Sequence, residues 1–275
     1  MELKELRDEI RKTDEEMAEL FVRRMKAVAD VAEYKKEHGL AIEDADQEAR
    51  VISERSPLVK DEVLREYYVQ FLKDTMAVSK RWQHRLMFGQ KIAFCSAKDD
   101  TGAAAVECIF PDASAVDYPS YAEAYEAVVK GDCDAAVLPF EVSYQGEVAK
   151  VVDLMFEGDL YVNESLDYKS GDETTRYFVL SRANNKVSVK DSQSAFMIMF
   201  TVHDETGGLA KAINIISAYN FNMHIMRSRP MNDLPWHYYF YAEIVGDDAS
   251  DNGKRMLHAL KVVCPSVKVV GSYRI

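Results

Sequence analysis

Several charged and polar side chains in the first 90 residues share helical faces with apolar residues. Arg24 and Lys35 are the clearest case, because they are eleven residues apart, close to three helical turns, on the stripe that also carries Leu20 and Val28. A charge on an apolar stripe is costly unless something pairs with it. The spacing therefore indicates an inward-facing group of cations that would bind a small anion.

The same pattern recurs on two further helical segments. Asp44 and Glu48 precede an apolar pair, Ser79 and Gln83 are four residues apart within an apolar stripe, and Arg7 shares the apolar side of the first segment. Each of these side chains could instead reach solvent, cap a helix end or find a partner within a core. Because such positions recur on three helical faces, we favour one shared binding site.

Three helices are needed to position these residues. A period of 3.6 dominates the first 90 residues, and Gly39 and Pro57 are the only breakers before Gly89. We predict helices over residues 3–38, 44–55 and 58–87, the first of them closed by Gly39 as a C-terminal cap.

The length of the first helix bears on Arg7. About 25 Å of helix separates Arg7 from Arg24, too far for one small ligand to contact both within a single chain. If both serve one site, Arg7 comes from a second copy, which predicts an intertwined two-fold dimer with two equivalent sites. The alternative is a monomeric helical hairpin in which Arg7 is a surface charge.

Composition limits the partners of the chain. The 275 residues include 34 basic and 46 acidic side chains, which gives a net charge of -12 at neutral pH. This balance repels nucleic acid and anionic membranes, so an anion site must be a local cluster of cations. We expect neither a nucleic-acid nor a membrane partner.

Cysteine and histidine usage points away from metal sites and disulfides. The four cysteines have no CxxC spacing and the six histidines form no metal-binding pair. The amino terminus is charged, and no run approaches the roughly 18 apolar residues of a membrane span. We therefore predict a cytoplasmic protein without a metal site.

The sequence pattern changes after residue 90. Short β runs alternate with helical segments over residues 91–181, which predicts a small α/β domain. A polar linker, "SRANNKVSVKDSQ", precedes residues 194–275, whose runs follow the order βαββαβ. That order is the ferredoxin-like arrangement.

The first 90 residues resemble the all-helical chorismate mutases. The resemblance rests on "LRDEIRKTDEEMAELFVRRMKAVADVAEYKKEHG", "IEDADQEAR" and "MAVSKRWQ". Their LR-x-x-I-x-x-x-D, R-R-x-x-x-A-x-x-V-x-x-x-K, D-x-x-x-E and S-x-x-x-Q motifs occur in order. It implies that Arg24, together with Arg7 of a partner chain, binds the two carboxylates of chorismate. Lys35 and Gln83 would hydrogen-bond the ether oxygen of the breaking bond.

The remaining polar positions complete the pocket that this resemblance implies. Asp44 and Glu48 would hold the ring hydroxyl and its surroundings, and Ser79 would contact a carboxylate. One position departs from the family, which commonly carries an arginine where this chain has Gln47. We expect the loss of that cation to weaken binding of the anionic substrate.

The implied reaction is consistent with this set of residues. The rearrangement of chorismate to prephenate needs no nucleophile, proton shuttle or cofactor. It needs a compact substrate conformer and stabilisation of the charge that develops on the ether oxygen, which positioned cations and an amide supply in a dry cavity. We therefore predict no cofactor.

The middle region resembles prephenate dehydratase. "VLPFEVSYQGEVAKVVDLM" resembles the P-I-E-N-S-x-x-G-x-V motif and "TTRYFVL" resembles the T-R-F motif. These motifs make Glu141, Ser143, Thr175 and Arg176 candidate dehydratase residues, with Thr175 as the catalytic threonine and Arg176 as a substrate ligand.

Two departures bear on dehydratase activity. Val142 replaces the asparagine of the motif, and no S-H-P-Q-A segment lies between residues 164 and 174, where the family carries most of a second lobe. Because the family's substrate lies between two lobes, we favour a structural spacer. A cleft completed by a second chain is the alternative.

The last region resembles an ACT regulatory domain. "ETGGLAKAI" resembles the motif around G-A-L-V, and "NMHIMRSRP" resembles N-L-T-K-I-E-S-R-P, with Arg227 where the family has glutamate. The amides at the start of the helix could bind the carboxylate of an amino acid, and the resemblance implies phenylalanine as an allosteric inhibitor. Alternatively, these segments only shape a turn and a dimer interface. The candidate effector-binding residues are Gly207, Gly208, Leu209, Arg227, Ser228, Arg229 and Pro230.

The sequence thus predicts a multidomain chain. An all-α, intertwined three-helix chorismate mutase domain over residues 1–90 precedes a shortened prephenate-dehydratase-like α/β domain over residues 91–181. A ferredoxin-like βαββαβ domain of ACT type follows over residues 194–275. The favoured function is a chorismate mutase that makes prephenate for phenylalanine biosynthesis under amino-acid control, as a homodimer or higher homo-oligomer. Two alternatives are a full bifunctional chorismate mutase/prephenate dehydratase that makes phenylpyruvate, and a non-catalytic amino-acid-sensing or partner-binding protein.

Overall fold

The chain folds as a helical region followed by a mixed α/β region. The computed structural model describes residues 3–96, 101–184, 194–231 and 234–275. It divides into two compact units, Met1–Gln90 and Lys91–Ile275. The predicted order of a helical and then a mixed α/β region is confirmed. Residues 185–193, which form most of the predicted linker, lie outside the described residues.

Three helices form the first unit: α1 (Leu3–Glu37), α2 (Ala45–Arg55) and α3 (Glu62–Phe88). Both α1 and α2 pack against α3. Gly39 follows α1 with a φ of 63°, a left-handed conformation that glycine adopts without strain. Asp44 caps α2, because its Oδ1 accepts the backbone N–H of Gln47 at 2.9 Å. Within the described part of the chain, no helix is long and apolar enough to cross a lipid bilayer.

The start of α3 differs from the prediction. We expected the helix to begin near Leu58, but Ser56–Leu58 form a separate 3-10 turn and α3 begins at Glu62. The reason is local, because the carboxylate of Asp61 accepts the N–H of Leu64 at 3.0 Å and so caps the helix there.

The helical unit buries few side chains. Among its described residues, only Ala32, Ser79 and Gln83 are buried. Two of the three are polar, whereas large apolar side chains of α1 remain exposed. An apolar stripe of this length normally marks an interaction surface. The exposed apolar residues of α1 are Leu3, Leu6, Ile10, Met17, Leu20, Phe21, Val22, Val31 and Tyr34.

The second unit is built on one sheet, whose strands are ordered β2-β1-β3-β6-β5-β10-β7-β9-β8, with β4 paired to β3. Its first half contains β1 (Lys91–Phe94), α4 (Gly102–Ile109), β2 (Ser114–Asp117), α5 (Tyr121–Lys130), β3 (Ala135–Val142), β4 (Gly146–Glu147), α6 (Ala149–Glu157), β5 (Tyr161–Ser170) and β6 (Glu173–Ser181). The two-residue β4 was not predicted from the sequence, because a strand so short has no periodicity.

Strands β5 and β6 form a tight hairpin at the point where the sequence lacks a second lobe. Ser170 pairs with Glu173, so only Gly171 and Asp172 connect the two strands. Gly171 has a φ of 59°, as the favoured two-residue hairpin turns require. The chain therefore passes directly from one strand to the next here.

The second half of the unit follows the order βαββαβ. It contains β7 (Ser194–Thr201), α7 (Gly208–Ala218), β8 (Asn222–Pro230), β9 (Tyr238–Val245), α8 (Asp251–Val263) and β10 (Ser266–Arg274). Helices α7 and α8 cover one face of these strands, where Ile216 and Leu260 are buried with Phe196. On the other face, Tyr239 and Tyr241 are buried in the same apolar cluster as residues of α6 and β3. The two halves of the unit thus share a core.

Candidate functional sites

The cation pattern of the helical unit centres on Arg24 and Ser79. Arg24 on α1 donates from Nη1 to the hydroxyl of Ser79 on α3. The hydroxyl in turn donates to the backbone oxygen of Thr75 at 2.6 Å. Partial burial lowers the pKa of Arg24 by desolvation, yet a guanidinium remains charged throughout the physiological range. A cation is therefore held between the two helices.

Gln83 adds an unpaired polar group one turn from Ser79. Its side chain is buried, and its Oε1 has no hydrogen-bond partner. Native proteins pair nearly all buried polar atoms, and an unpaired one costs about 1–3 kcal/mol. Because rotation of the side-chain amide exchanges its oxygen and nitrogen, the site can present either an acceptor or a donor here. An unpaired buried amide of this kind is available to hydrogen-bond a ligand.

The α2 side of the unit carries three further predicted residues. Lys35 is half-buried and donates from Nζ to the backbone oxygen of Ile42 at 2.7 Å. Asp44 is exposed and caps α2. Glu48 pairs with Lys80 of α3, whose Nζ lies 3.0 Å from Glu48 Oε1.

The structure brings together some of the predicted residues and not others. Arg24 of α1 contacts Ser79 of α3, the buried Gln83 lies one turn from Ser79 on α3, and Glu48 of α2 pairs with Lys80 of α3. Arg7 is exposed near the start of α1. Lys80 was missed by sequence reasoning, because a lysine beside an inward-facing serine is expected on the solvent side of a helix.

A cleft of about 610 Å³ opens in the first half of the sheet unit. It is lined by residues from several elements, among them Cys95, Ser120, Val142, Glu147, Lys150 and Thr175. Thr175 lies on β6 and lines the cleft, although the residue is only 6% exposed. Val142 stands in the same wall, where a hydrogen-bonding asparagine was expected from the motif.

Arg176 lies outside the residues that line this cleft. Successive side chains of a strand point to opposite faces, so the residue after Thr175 is directed away from it. Arg176 forms a two-bond pair with Asp167, at 2.7 Å from Nε and 3.1 Å from Nη2, and its Nη1 lies 3.8 Å from Glu243. The hydrogen bond from Arg176 lowers the pKa of Asp167 despite burial.

The other two candidate dehydratase residues take part in strand contacts. Ser143 is exposed, and its hydroxyl accepts the backbone N–H of Thr174 at 3.1 Å. Glu141 is half-buried on β3 and accepts a hydrogen bond from Nη2 of Arg227. The glutamate of the dehydratase motif is thus paired with the arginine that replaces a glutamate of the ACT motif.

Arg229 makes a second link between the two halves of the unit. Its Nε and Nη2 donate to the carboxylate of Asp153 on α6 at 2.8 and 3.1 Å. Its Nη1 donates to Glu147 at 2.5 Å. Because Glu147 also lines the cleft, β8 is connected to the cleft wall through this arginine.

Two tyrosines of β9 complete the network. Tyr239 donates to Asp153 at 2.7 Å, and Tyr241 donates to Glu147. Burial is the main reason that the pKa of both phenols lies above the ordinary range, and the hydrogen bond to the neighbouring carboxylate raises it further. Burial alone would raise the pKa of Asp153, but the hydrogen bonds from Arg229 and Tyr239 outweigh it and hold that pKa below its usual value.

The candidate effector residues fall into two groups. Gly207, with a φ of 81°, precedes the first residue of α7, and Leu209 lines a second cavity of about 480 Å³ together with Tyr238 and Phe240. Arg227 and Arg229, by contrast, point to the carboxylates of the other half of the unit. Ser228 and Pro230, which alternate with them on β8, are exposed, and Gly208 is half-buried at the start of α7.

Comparison with known proteins identifies both regions. Residues 6–84 match the family model of chorismate mutase type II, and residues 101–171 match that of prephenate dehydratase. A bifunctional chorismate mutase/prephenate dehydratase of Aquifex aeolicus is 33% identical over 104 residues, which are 38% of this chain and 28% of that protein. The Enterobacter agglomerans protein of the same name is 30% identical over 119 residues, 42% of this chain and 30% of that protein. The match thus spans less than a third of the length of these relatives.

Solved structures share the fold. A prephenate dehydratase from Streptococcus mutans superposes with a TM-score of 0.59 at 19% identity, over 67% of this chain and 98% of that one. A prephenate dehydratase from Arthrobacter aurescens, solved in complex with L-Phe, gives 0.59 at 15% identity, over 67% and 90%. A protein described as a quorum quenching acylase gives 0.60 at 21% identity, over 67% and 95%. At these low sequence identities the similarity shows a shared fold alone.

The chain therefore combines a helical unit that matches one family model with a mixed α/β unit that has the fold of solved prephenate dehydratases. Residues 6–84 are thus similar to chorismate mutase type II and residues 101–171 to prephenate dehydratase, the two activities that name the bifunctional relatives.

Proposed function

We propose that this protein is a chorismate mutase, which converts chorismate to prephenate in the biosynthesis of phenylalanine. The observation that carries the proposal is the polar interior of the helical unit, where Arg24 meets Ser79 and the amide oxygen of Gln83 has no partner. The chorismate mutase family match over residues 6–84 supports the same activity.

In the proposed mechanism the side chains act by position and charge. Arg24 binds one carboxylate of chorismate and Arg7 of a second copy binds the other, which folds the substrate into its reactive conformer. Lys35 and Gln83 donate to the ether oxygen, where negative charge develops as the carbon–oxygen bond breaks. Lys35 is free to do so once substrate replaces its contact with Ile42.

The remaining residues orient the substrate in this proposal. Asp44 and Glu48 contact the ring hydroxyl and its surroundings, and Ser79 supports a carboxylate beside Arg24. The requirement for Arg7 from another chain means a homodimer or a higher homo-oligomer. The exposed apolar stripe of α1 supports such an assembly, because a second helix would bury it.

The experiment is incubation of the purified full chain with chorismate, with prephenate and phenylpyruvate separated in the products. Prephenate is the expected product. The variant Arg24→Ala is expected to lose at least about 100-fold in kcat/KM, because it removes a charge-assisted contact to the substrate. A protein that leaves chorismate unchanged would refute the proposal, and binding of phenylalanine by such a protein would favour the amino-acid-sensing alternative.

A second candidate activity is prephenate dehydratase, favoured by the presence of Thr175 in the wall of the cleft. In this alternative Thr175 is the catalytic threonine, whereas Glu141, Ser143 and Arg176, which do not line the cleft, would have to leave their present partners to contact substrate. Because β5 and β6 are joined by a tight hairpin, no second lobe follows β5 to form the other wall of the cleft. A second chain would have to supply that wall. Phenylpyruvate formed from prephenate, and lost in Thr175→Ala, would establish this activity.

For the last 82 residues we propose an ACT-type regulatory domain, residues 194–275, distinct from a dehydratase-like domain over residues 91–181 and the mutase domain over residues 1–90. The βαββαβ element order supports it. The proposed effector is phenylalanine, bound near Gly207, Gly208 and Leu209, with Ser228 and Pro230 as the exposed candidates on β8, because Arg227 and Arg229 are paired with carboxylates of their own chain. Calorimetric titration with phenylalanine tests this assignment. The cytoplasmic location stays a prediction from the sequence.

A further inference from the structure

Lys80 is a cation that the residue pattern did not single out. It follows Ser79 directly on α3, and its Nζ lies 3.0 Å from Oε1 and 3.3 Å from Oε2 of Glu48 on α2. The side chains of Lys80 and Glu48 are 33% and 32% exposed, so the pair is neither a free surface pair nor buried in a core. It spans α2 and α3 next to the inward-facing Ser79 and Gln83.

The geometry leaves Lys80 able to bind a ligand. An ammonium group has three N–H donors and no acceptor, and Lys80 donates one hydrogen bond to Oε2 of Glu48 while its Nζ forms an ion pair with Oε1. A single carboxylate does not use all the donors of an ammonium group, so Lys80 can also donate to an anion. Glu48 also restrains the long side chain, so less conformational entropy is lost when an anion binds.

The charge balance of the proposed pocket gives Lys80 a role. The proposed pocket holds the cations Arg24, Lys35 and, from a second copy, Arg7, against the carboxylates of Asp44 and Glu48. This set carries one net positive charge, whereas chorismate carries two negative charges. Position 47, next to Glu48 on α2, is an uncharged glutamine. One more cation facing this pocket would balance the substrate.

We propose that Lys80 is this cation, a substrate-binding residue of the mutase site that compensates for Gln47 and is held in place by Glu48. The inference rests on the proposed mutase function. This role differs from that of an ordinary helix–helix ion pair, which would contribute little to stability and nothing to catalysis.

The test compares Lys80→Gln with Lys73→Gln, in the full chain and by chorismate consumption. Lys73 is an exposed lysine on the same helix, so its substitution makes the same change in residue type and net charge. Loss of one charge-assisted contact made in both ground and transition state is expected to raise KM about 10- to 100-fold in Lys80→Gln with a much smaller change in kcat. Lys73→Gln is expected to match the unsubstituted protein, and Lys80→Arg to stay within about threefold of it, since it keeps the charge.

A rescue variant separates charge compensation from a structural effect. Gln47→Arg combined with Lys80→Gln restores a cation on α2 and is expected to return KM to within about threefold of the unsubstituted value. Thermal unfolding of Lys80→Gln is expected to stay close to that of Lys73→Gln, because a half-exposed ion pair contributes little to stability.

The outcomes are distinguishable. If the unsubstituted protein consumes chorismate but Lys80→Gln keeps the KM of Lys73→Gln, the assignment of Lys80 is wrong and the mutase function stands. A raised KM that Gln47→Arg fails to lower also refutes charge compensation. If the unsubstituted protein neither consumes chorismate nor binds prephenate in calorimetry, the proposed function fails and the assignment of Lys80 falls with it.

Discussion

At the scale of single residues, the helical unit places polar side chains where a stable bundle would place apolar ones. Ser79 and Gln83 are the buried residues of α3, and Gln83 retains an unpaired oxygen. A buried polar atom without a partner weakens the fold, and such costs persist mainly where they serve a function. Gln83 is therefore the position at which stability and activity are expected to oppose each other.

We predict that Gln83→Leu makes the protein more stable and less active. The substitution removes an unsatisfied buried oxygen at similar volume, which is expected to stabilise the helical unit by about 1 kcal/mol. It also removes the donor to the ether oxygen in the proposed mechanism, which is expected to lower kcat by about 100-fold or more. Thermal unfolding and chorismate turnover measure the two effects. The control Gln70→Leu changes an exposed glutamine of the same helix, and equal losses of activity in both variants would contradict the prediction.

The inward direction of some of these side chains was predictable from the sequence, because it depends on the periodicity of a single helix. Arg24, Ser79 and Gln83 interrupt apolar stripes, and helical periodicity alone directs them inward. The contact between Arg227 and Glu141 joins residues 86 positions apart, so nothing local predicts it. The same holds for Lys80, since its partner Glu48 lies 32 positions away on another helix.

Asp153 provides a prediction about pH. Its pKa is lower in the folded chain than in the unfolded chain, because hydrogen bonds from Arg229 and Tyr239 outweigh burial. The stability that Asp153 contributes is therefore complete above its unfolded pKa of about 3.9 and is lost as the pH falls through its lower folded pKa. Asp153→Asn is expected to lower the unfolding free energy by about 3 kcal/mol at pH 7, since it leaves Arg229 short of a buried partner, and by less at pH 3.

Urea unfolding of the full chain at the two pH values, followed by near-ultraviolet circular dichroism, measures this difference. Asp112→Asn is the matched control, because Asp112 is exposed before β2. An Asp153→Asn variant as stable as the control at pH 7 would show that the network of Arg229 contributes no net stability.

At the scale of elements, the two halves of the second unit join where β10 runs beside β5. Gly271 pairs with Val162, and a Cβ on Gly271 would lie 2.0 Å from the backbone oxygen of Val162. Real Cβ atoms do not approach so closely, so the two strands can lie side by side only because residue 271 is glycine. The register of β10 against β7 also shifts at this point.

Gly271→Ala is therefore expected to destabilise the second unit by about 1–3 kcal/mol, because one of the two backbones must move. The control is Gly171→Ala in the β5–β6 turn, where a Cβ would meet nothing within 4 Å and only the φ of 59° is unfavourable. That change is expected to cost about 1 kcal/mol. Urea unfolding compares the two, and a smaller loss for Gly271→Ala would show that the β5–β10 junction tolerates separation.

The helices and strands themselves were largely predictable, whereas their junctions were not. Periodicities of 3.6 and 2 depend on neighbours in sequence, and they located the helical region and most strands of the second unit. The parallel pairing of β5 with β10 joins elements more than 100 residues apart, and only the fold determines it. The start of α3 was misjudged because the Asp61 cap, rather than Pro57, sets it.

At the scale of the whole molecule, the apolar side chains of α1 bear on assembly. Leu20 and Phe21 lie near the middle of the helix and are about half exposed, as are Leu6 and Ile10 nearer its start. A 35-residue helix with such a stripe gains stability when a second helix covers it. The same assembly would let Arg7 of one chain reach the proposed site of the other, because Arg7 and Arg24 are 17 residues apart on one helix.

A subunit-mixing experiment tests this proposal of shared sites. Arg7→Ala and Arg24→Ala chains are each expected to form dimers in which both sites lack one arginine, so each preparation has little chorismate mutase activity. When the two are unfolded together and refolded in equal amounts, about half of the dimers contain one chain of each kind. In such a dimer one site lacks both arginines, and the other combines the intact Arg7 of one chain with the intact Arg24 of the other.

The mixture is therefore expected to regain about a quarter of the unsubstituted activity, because half of the dimers have one working site of two. A mixture that stays as inactive as its components would mean that Arg7 and Arg24 do not cooperate across two chains. Light scattering of the same samples gives the assembly state, and a monomer with full activity would equally refute the shared site. Refolding each variant alone is the control, since recovery there would reflect repaired chains rather than complementation.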